Sequence, residues 1–306
     1  MSGGPSAGPD LLIGFPDGGD LAARLADDLG IPYREVTLHR FPDGESLVRL
    51  DASPRHAVIV RSLDRPNDKL VELHLLAGAL RERGAARIHL VAPYLAYMRQ
   101  DMEFRPGEVV SQRIMGRWLS GLVDSVVTVD PHLHRTHQLE EVFPGLPALA
   151  LTAAALAGDW ARGQGAGADW IVLGPDEEAE GLARAVAAAA GTGWMCGRKE
   201  RRGDRDVTVS LPDGADLSGR TVLLVDDVVS SGGTLIDLAR EAARHGAGTG
   251  GGRLLAFTTH AVFPPAMVER FREAGITAIV SADGIPHPSN AISLVPLLAG
   301  AVQGLV

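Results

Sequence analysis

The stretch Arg220-Thr-Val-Leu-Leu-Val-Asp-Asp-Val-Val-Ser-Ser-Gly-Gly-Thr-Leu235 decides how the rest of the chain is read. Val222 to Val225 are apolar on both faces, which predicts a buried strand of a parallel sheet. The run ends in two adjacent carboxylates, Asp226 and Asp227, and continues through Ser230, Ser231, Gly232, Gly233 and Thr234 into a helical pattern. Glycines let a backbone approach an anion closely, and hydroxyls and amides donate to it. A helix that starts there points the positive end of its dipole at the same place. Strand, acid pair and anion nest in that order suit a sugar phosphate, with carboxylates for its hydroxyls and the nest for its phosphate. A plain βα turn with incidental acids is the simpler alternative.

The 306 residues predict two domains, each large enough for its own core. An apolar content of 45% with 22% charged residues is ordinary for a globular chain. The net charge of −9 argues against a nucleic-acid partner, and no basic cluster is long enough to reverse it. An anionic substrate therefore needs local basic residues or metal ions. Cys196 is the only cysteine, which excludes an internal disulfide and suits a reducing compartment. No apolar stretch reaches membrane-spanning length, and residues 1–10 lack the charge and apolar core of a signal peptide. The expectation is a cytoplasmic protein with a loose N-terminal tail and no membrane partner.

Working outward from the central stretch, the same order of elements occurs twice. Residues 11–14 read as a strand, and 20–29 as an amphipathic helix closed by Gly30. Residues 57–60 read as a strand, then a helix capped by Asn67 or Asp68 runs to about residue 83, then a strand at 88–92. Strand 222–225, helix 234–244 and strand 254–258 repeat that order, and Ala79-Leu-Arg-Glu-Arg-Gly-Ala85 is echoed by Ala239-Arg-Glu-Ala-Ala-Arg-His-Gly-Ala247. Two halves of one α/β type follow, with the crossing at 148–151: a first domain over 11–148 and a second over 149–306. The first half lacks the acid pair and the Gly-Gly-Thr nest, so the sugar-phosphate site belongs to the second.

Other polar motifs fall at strand ends or turns. Phe41-Pro-Asp-Gly-Glu45 is a turn carrying an aromatic ring and two carboxylates, or a plain hairpin turn. Arg99, Gln100 and Asp101 follow strand 88–92, where an α/β sheet presents ligand-binding loops; together they can meet a phosphate, a base edge and a sugar hydroxyl. A polar loop with locally packed tyrosines is the alternative. His132, His134 and His137 suggest a metal cluster, yet structural zinc takes four ligands and only one thiol exists. One histidine acting with an acid on a magnesium–phosphate complex is preferred. Asp176 ends strand 170–173, and Glu177, Glu178 and Glu180 suit a helix N-terminus. Residues 198–206 form a dense charged loop, either a solvated face or a mobile basic lid over phosphates. His260 is expected at the ligand-facing sheet edge, and His287 in a structural role.

Taken together, these motifs resemble the ribose-phosphate diphosphokinases, the phosphoribosyl diphosphate synthetases, over roughly residues 11–303. Val222 to Thr234 look like the phosphoribosyl diphosphate signature, which phosphoribosyltransferases share. Phe41-Pro-Asp-Gly-Glu45, Tyr97-Met-Arg-Gln-Asp101 and Val129-Asp-Pro-His132 in combination point to the synthetases. Phe104-Arg-Pro-Gly-Glu108 and Gly174-Pro-Asp-Glu-Glu178 are similar to the archaeal-type, class III branch.

The resemblance implies two tandem type I phosphoribosyltransferase-like domains, each a mainly parallel sheet flanked by helices. It implies transfer of the diphosphoryl group of ATP to ribose 5-phosphate, with Mg2+, giving phosphoribosyl diphosphate and AMP. By carry-over Asp226 and Asp227 hold the ribose hydroxyls, and Ser230, Ser231, Gly232, Gly233 and Thr234 the 5-phosphate. Phe41, Asp43, Glu45, Arg99, Gln100 and Asp101 frame ATP, with Asp43 and Glu45 reaching it from a neighbouring subunit of a homo-oligomer. His132 and Asp176 act on magnesium and the triphosphate, and Lys199 and Arg201 fit the catalytic Lys-x-Arg pair. Departures are Ser230 and Ser231 where Asp and Thr are frequent, Pro131 where Leu is frequent, and competing registers among Arg198, Lys199, Arg201 and Arg202. A phosphoribosyltransferase, a regulatory homologue that binds phosphoribosyl diphosphate, and a diphosphokinase for another pentose phosphate remain the alternatives.

Overall fold

The computed structural model describes residues 8–136, 138–201 and 207–305. They form two compact units. The first comprises the described residues up to Leu151 together with Gly284–Pro286 and the segment from Leu294 onward; the second comprises Thr152–Asp283 and His287–Ser293.

In the first unit the order is β1 (Leu11–Gly14), α1 (Leu21–Leu29), β2 (Tyr33–Glu35), β3 (Thr37–Arg40), β4 (Ser46–Arg49), β5 (His56–Val60), α2 (Pro66–Glu82), β6 (Arg87–Val91), α3 (Ser111–Ser120), β7 (Ser125–Val129) and β8 (Ala148–Leu151). Six strands make one sheet in the order β2-β1-β5-β6-β7-β8, and every pairing is parallel. The central strands are buried almost throughout, which is why they read as unbroken apolar runs rather than alternating ones. β3 and β4 stand apart as an antiparallel hairpin closed by the pair Arg40 and Ser46. Its partly buried Leu38 and Val48 pack against the core that contains Ile13, Ile59, Leu73 and Phe143.

The second unit runs α4 (Ala154–Gly163), β9 (Trp170–Gly174), α5 (Glu180–Ala190), β10 (Gly193–Cys196), β11 (Arg198–Arg201), β12 (Val207–Ser210), β13 (Thr221–Val229), α6 (Gly233–Arg244), β14 (Leu254–Ala261), α7 (Met267–Glu273), β15 (Ala278–Ala282) and β16 (Asn290–Ile292). Its parallel sheet has the order β10-β9-β13-β14-β15-β16. Counted within each unit, both sheets therefore run second, first, third, fourth, fifth, sixth. Each also inserts an antiparallel hairpin between its second and third sheet strands. The expected two α/β halves are present with one topology.

Four expectations change. The last helix, α8 (Val295–Gln303), belongs to the first unit, where it packs beside α1. α4 packs beside α5 in the second unit in the same manner, so α8 fills from the far end of the chain the place that α4 fills locally. Residues 198–201 are a strand rather than loop, paired in register with β12 as Lys199 to Val209 and Arg201 to Val207. β13 continues past the acids to Val229 because its partner β14 is long enough to pair with Val228 and Val229. Neither Asn67 nor Asp68 caps α2; the chain enters through Arg65 at φ 49 with Pro66 in the first helical position.

A buried ionic cluster lies before and within the first turns of α2. Arg61 is 2% exposed, bonds Glu72 Oε2 at 2.5 Å and Asp17 at 3.2 Å, and stacks on the Phe15 ring at 3.8 Å. Lys69 Nζ bonds Asp17 at 2.8 Å, Asp64 at 2.7 Å and the Ser62 carbonyl at 3.0 Å. Burial pushes the Asp17 carboxyl up, but Lys69 and Arg61 outweigh it and hold the group below its ordinary value.

His89 on β6 is 6% exposed, with Nδ1 2.7 Å from Ser125 Oγ. Burial holds its pKa below the ordinary histidine value; Asp124 opposes this, while Arg87, His56 and Arg81 add to it. The unfolded chain therefore binds the extra proton first as pH falls. Stability from this group is complete above about pH 6.5 and declines as the pH drops from there toward the lower folded-state value. The urea midpoint is expected to fall between about pH 7.5 and 5.5, and to fall less steeply in His89→Asn. Equal slopes for the two proteins would show that His89 is not the group responsible.

Candidate active site

In the second unit the site is built on the carboxyl end of β13. Asp226 and Asp227 are half-buried neighbours in an extended strand, so their side chains leave on opposite faces. Asp226 Oδ1 accepts the amide of Asp227 at 3.0 Å, and Asp227 Oδ1 accepts that of Val228 at 2.7 Å. Each carboxylate is thus fixed to its own backbone. Gly232 then turns the chain with φ 73, and the first helical bond of α6 runs from Ile236 N–H to the Gly232 carbonyl. The amides of Gly233, Thr234 and Leu235 precede that bond and form the positive helix end. Glycine is required at 232 twice over, by the left-handed backbone and because a Cβ would lie 2.6 Å from Phe271 Cε1.

Asp176 lies two residues past β9 and caps the one-turn helix that follows, its Oδ1 accepting from the amides of Glu178 and Ala179 at 3.0 and 3.2 Å. Lys199 and Arg201 lie on β11, and residues 202–206, which include Arg202, fall outside the described residues. His260 is the penultimate residue of β14, at the expected carboxyl end of the sheet, but it is buried there, 1% exposed. His287 ties its loop together, with Nδ1 2.7 Å from Ser289 Oγ and Nε2 3.1 Å from the Phe263 carbonyl. Burial pushes the Cys196 thiol up to about 11, which keeps it protonated and unreactive at neutral pH.

In the first unit the hairpin tip 41–45 carries Phe41, Asp43 and Glu45, all exposed. Gly44 at φ 97 closes it, with bonds from Phe41 N–H to the Glu45 carbonyl and from Gly44 N–H to the Phe41 carbonyl. The loop after β6 holds Arg99, which is exposed, and Gln100, whose Nε2 donates to Glu108 Oε2 at 3.0 Å. Asp101 is buried; Oδ2 accepts the Arg135 amide and Oδ1 the Arg135 Nη1, both at 3.2 Å. His132 follows β7 and packs edge-on against His134, ring centres 3.9 Å apart with their Nε2 atoms in contact. His137 lies outside the described residues. Among the described residues three other than glycine have left-handed backbones, Arg65, Tyr97 and Asp130, and each follows the carboxyl end of a sheet strand of this unit. Strain of this kind collects at ligand-facing edges.

Residues 12–122 match the family described as the N-terminal domain of ribose phosphate pyrophosphokinase, and 146–249 match the phosphoribosyl transferase domain. A ribose-phosphate pyrophosphokinase of Methanopyrus kandleri is 37% identical over 300 residues, 96% of this chain and 99% of that one. The chain belongs to the ribose-phosphate pyrophosphokinase family. Another family member, from Thermococcus kodakarensis, is 36% identical over 270 residues, 88% of this chain and 92% of that one. The crystal structure of a phosphoribosylpyrophosphate synthetase from Mycobacterium smegmatis superposes with a TM-score of 0.82 at 25% identity, over 97% of this chain and 98% of that one. The fold of two parallel-sheet domains is that of the family.

Arg135 escaped sequence reasoning, and Glu108 was singled out only as part of the Phe104–Glu108 motif, without its role as a support. Each fixes a residue of the Arg99–Asp101 loop, across 34 and 8 positions of sequence, and nothing local marks Arg135. Among the described residues no group of three or more histidine, cysteine, aspartate or glutamate side chains is gathered for a metal ion. Magnesium arriving with a polyphosphate needs only one or two carboxylates, because phosphate oxygens and water complete its shell. The half-buried carboxylates of Asp226 and Asp227, and that of Asp176, are donors of the right hardness.

Gly232→Ala is expected to destabilise the second unit by more than the ~1–2 kcal/mol of a left-handed non-glycine residue alone, because the methyl also meets Phe271. Denaturant unfolding of the variant tests this; an unchanged midpoint would mean that the turn relaxes freely.

Proposed function

We infer that the chain transfers the diphosphoryl group of ATP to O1 of ribose 5-phosphate, giving 5-phosphoribosyl 1-diphosphate and AMP. One observation carries this reading: a glycine-turned helix start after an acid pair in one unit shares the chain with an exposed aromatic–acid tip and a loop presenting an exposed arginine, Arg99, in the other. A phosphoribosyltransferase uses only the first of these.

Ser230, Ser231, Thr234 and the amides at the start of α6 bind the 5-phosphate, with Gly232 and Gly233 allowing its approach. Asp226 and Asp227 accept hydrogen bonds from the ribose hydroxyls. Phe41 offers a face for the adenine, Asp43 and Glu45 accept from it or from the nucleotide ribose, and Arg99 and Gln100 donate to the triphosphate and base. Asp101 serves the same frame from beneath, by holding Arg135. The anomeric hydroxyl oxygen attacks the β-phosphorus in line. The bond from that phosphorus to the α,β-bridging oxygen breaks, AMP leaves with the electron pair, and the hydroxyl proton passes to solvent. Negative charge grows on the transferring oxygens and the leaving group, where Lys199 and Arg201 supply positive charge. When bound, magnesium would offset triphosphate charge; Asp176 in the second unit would hold it, and His132 in the first would act on the triphosphate.

The chain works as a homo-oligomer in which Asp43 and Glu45 reach the nucleotide of a neighbouring copy. Exposed Leu47 on β4 and Val71 and Leu75 on the adjoining α2 give that contact an apolar surface. No helix among the described residues is long and apolar enough to cross a membrane. ATP as co-substrate suits a cytoplasmic setting.

Incubation with ribose 5-phosphate, ATP and Mg2+ should release AMP in step with phosphoribosyl diphosphate. Binding of phosphoribosyl diphosphate without AMP formation would replace this reading with a transferase or a regulatory protein. Lys199→Ala should lower kcat by about 10²–10³-fold, the scale for one preorganised stabilising donor. Wild-type turnover in that variant would remove Lys199 from the mechanism.

A further inference from the structure

The tip 41–45 and the 97–101 loop sit on different elements, and a two-stranded hairpin is only marginally stable by itself. Both are tied to the first turns of α2. Arg40, immediately before the tip, forms an ion pair with Asp68. Ser46, immediately after it, donates from Oγ to Glu72 Oε1 at 2.9 Å. Asp68 and Glu72 are four residues apart and so share one face of the helix. Two residues before Arg99, the left-handed Tyr97 donates its hydroxyl to Asn67 Oδ1 at 2.5 Å. The two acids thus grip the hairpin on either side of its tip, and the neighbouring Asn67 holds the loop.

The inner end of this grip is immobile. Glu72 is 6% exposed, and its second oxygen is bound by Arg61, which is itself pinned between the Phe15 ring and Asp17. A buried ion pair adds little net stability over an apolar pair, but breaking it strands a charge, so neither partner can swing away. Asp68 would have capped α2 in an ordinary helix start; the left-handed entry at Arg65 and Pro66 leaves it to serve the hairpin instead.

We propose that Asp68 and Glu72 are positioning residues, which set the Phe41–Glu45 tip for the adenine nucleotide by holding its two flanking residues against α2. This rests on the nucleotide role of the tip proposed above. The ties lie within one chain, so they act whichever copy's site the tip serves.

Steady-state kinetics of the full-length enzyme test it with Ser46→Ala/Asp68→Ala, which removes both ties to the flanks and leaves the buried Arg61–Glu72 pair intact. KM for ATP should rise roughly tenfold, the scale for losing one or two hydrogen bonds. The kcat and the KM for ribose 5-phosphate should stay within about twofold, since no group facing either is touched. Ser46→Thr keeps the hydroxyl and should behave as wild type. Hydrogen exchange at 41–45 should quicken in the double variant and not in Ser46→Thr. A Glu45→Ala control separates the two levels of the proposal. If Glu45→Ala raises KM for ATP while the double variant does not, the clamp is wrong and the nucleotide role of the tip stands. If Glu45→Ala also leaves KM unchanged, the tip does not meet the nucleotide and the clamp falls with it. A parallel loss in kcat and in both KM values would show a general structural role and overturn the assignment.

Discussion

A left-handed residue at the entrance to one helix governs what each unit can hold. In the second unit that residue is Gly232, packed so closely on Phe271 that no side chain fits, and it leaves the first amides of α6 facing outward. In the first unit the corresponding entrance to α2 is made by Arg65 and Pro66 with the same backbone hand. There the nearby cations Arg61 and Lys69 are already bonded to Asp17, Asp64 and Glu72. One turn geometry thus opens a helix N-terminus in one unit and stands beside an internal ionic strut in the other.

The two units share more than that turn. Their sheets have the same strand order, and each carries a hairpin between its second and third sheet strands. The two hairpins differ in charge: Asp43 and Glu45 on the first are balanced by Arg40 and Arg49, whereas Arg198, Lys199 and Arg201 on the second outnumber Glu200. Duplication of one topology followed by divergence of its side chains accounts for two units with one strand order and different polar groups. α8 beside α1 and α4 beside α5 complete the correspondence, the first pair by a helix that the chain contributes last.

Much of the candidate site was legible locally. Asp226 to Thr234 combine a β run, an acid pair and a Gly-Gly turn within a few positions, and each part has its own propensity signal. The Phe41–Glu45 turn and the Arg99–Asp101 loop were marked by Pro, Gly and their place after apolar runs. Their supports were not legible. Arg135 reaches Asp101 across 34 positions and Ser46 reaches Glu72 across 26, and such pairs have no periodicity to detect. The cap expected at Asn67 or Asp68 failed for the same reason: both side chains have better partners brought in by the fold, Tyr97 and Arg40.

The sequence by itself determined the fold class, most of the inner strands of both sheets, the glycine turn into α6 and the family, because buried parallel strands, glycine turns and helix starts are written in contiguous residues; the edge strands β2, β8, β10 and β16 carry too weak an apolar signal. Tertiary structure decided which unit receives α8, how far β13 extends, that residues 198–201 pair as a strand, and what holds the exposed tip and loop. Those outcomes depend on partners distant in sequence: α1 for the helix, β14 for the strand, β12 for the hairpin and α2 for the supports. Gly232 is where the two levels meet, since its backbone hand is visible in the sequence and its lack of room is visible only beside Phe271.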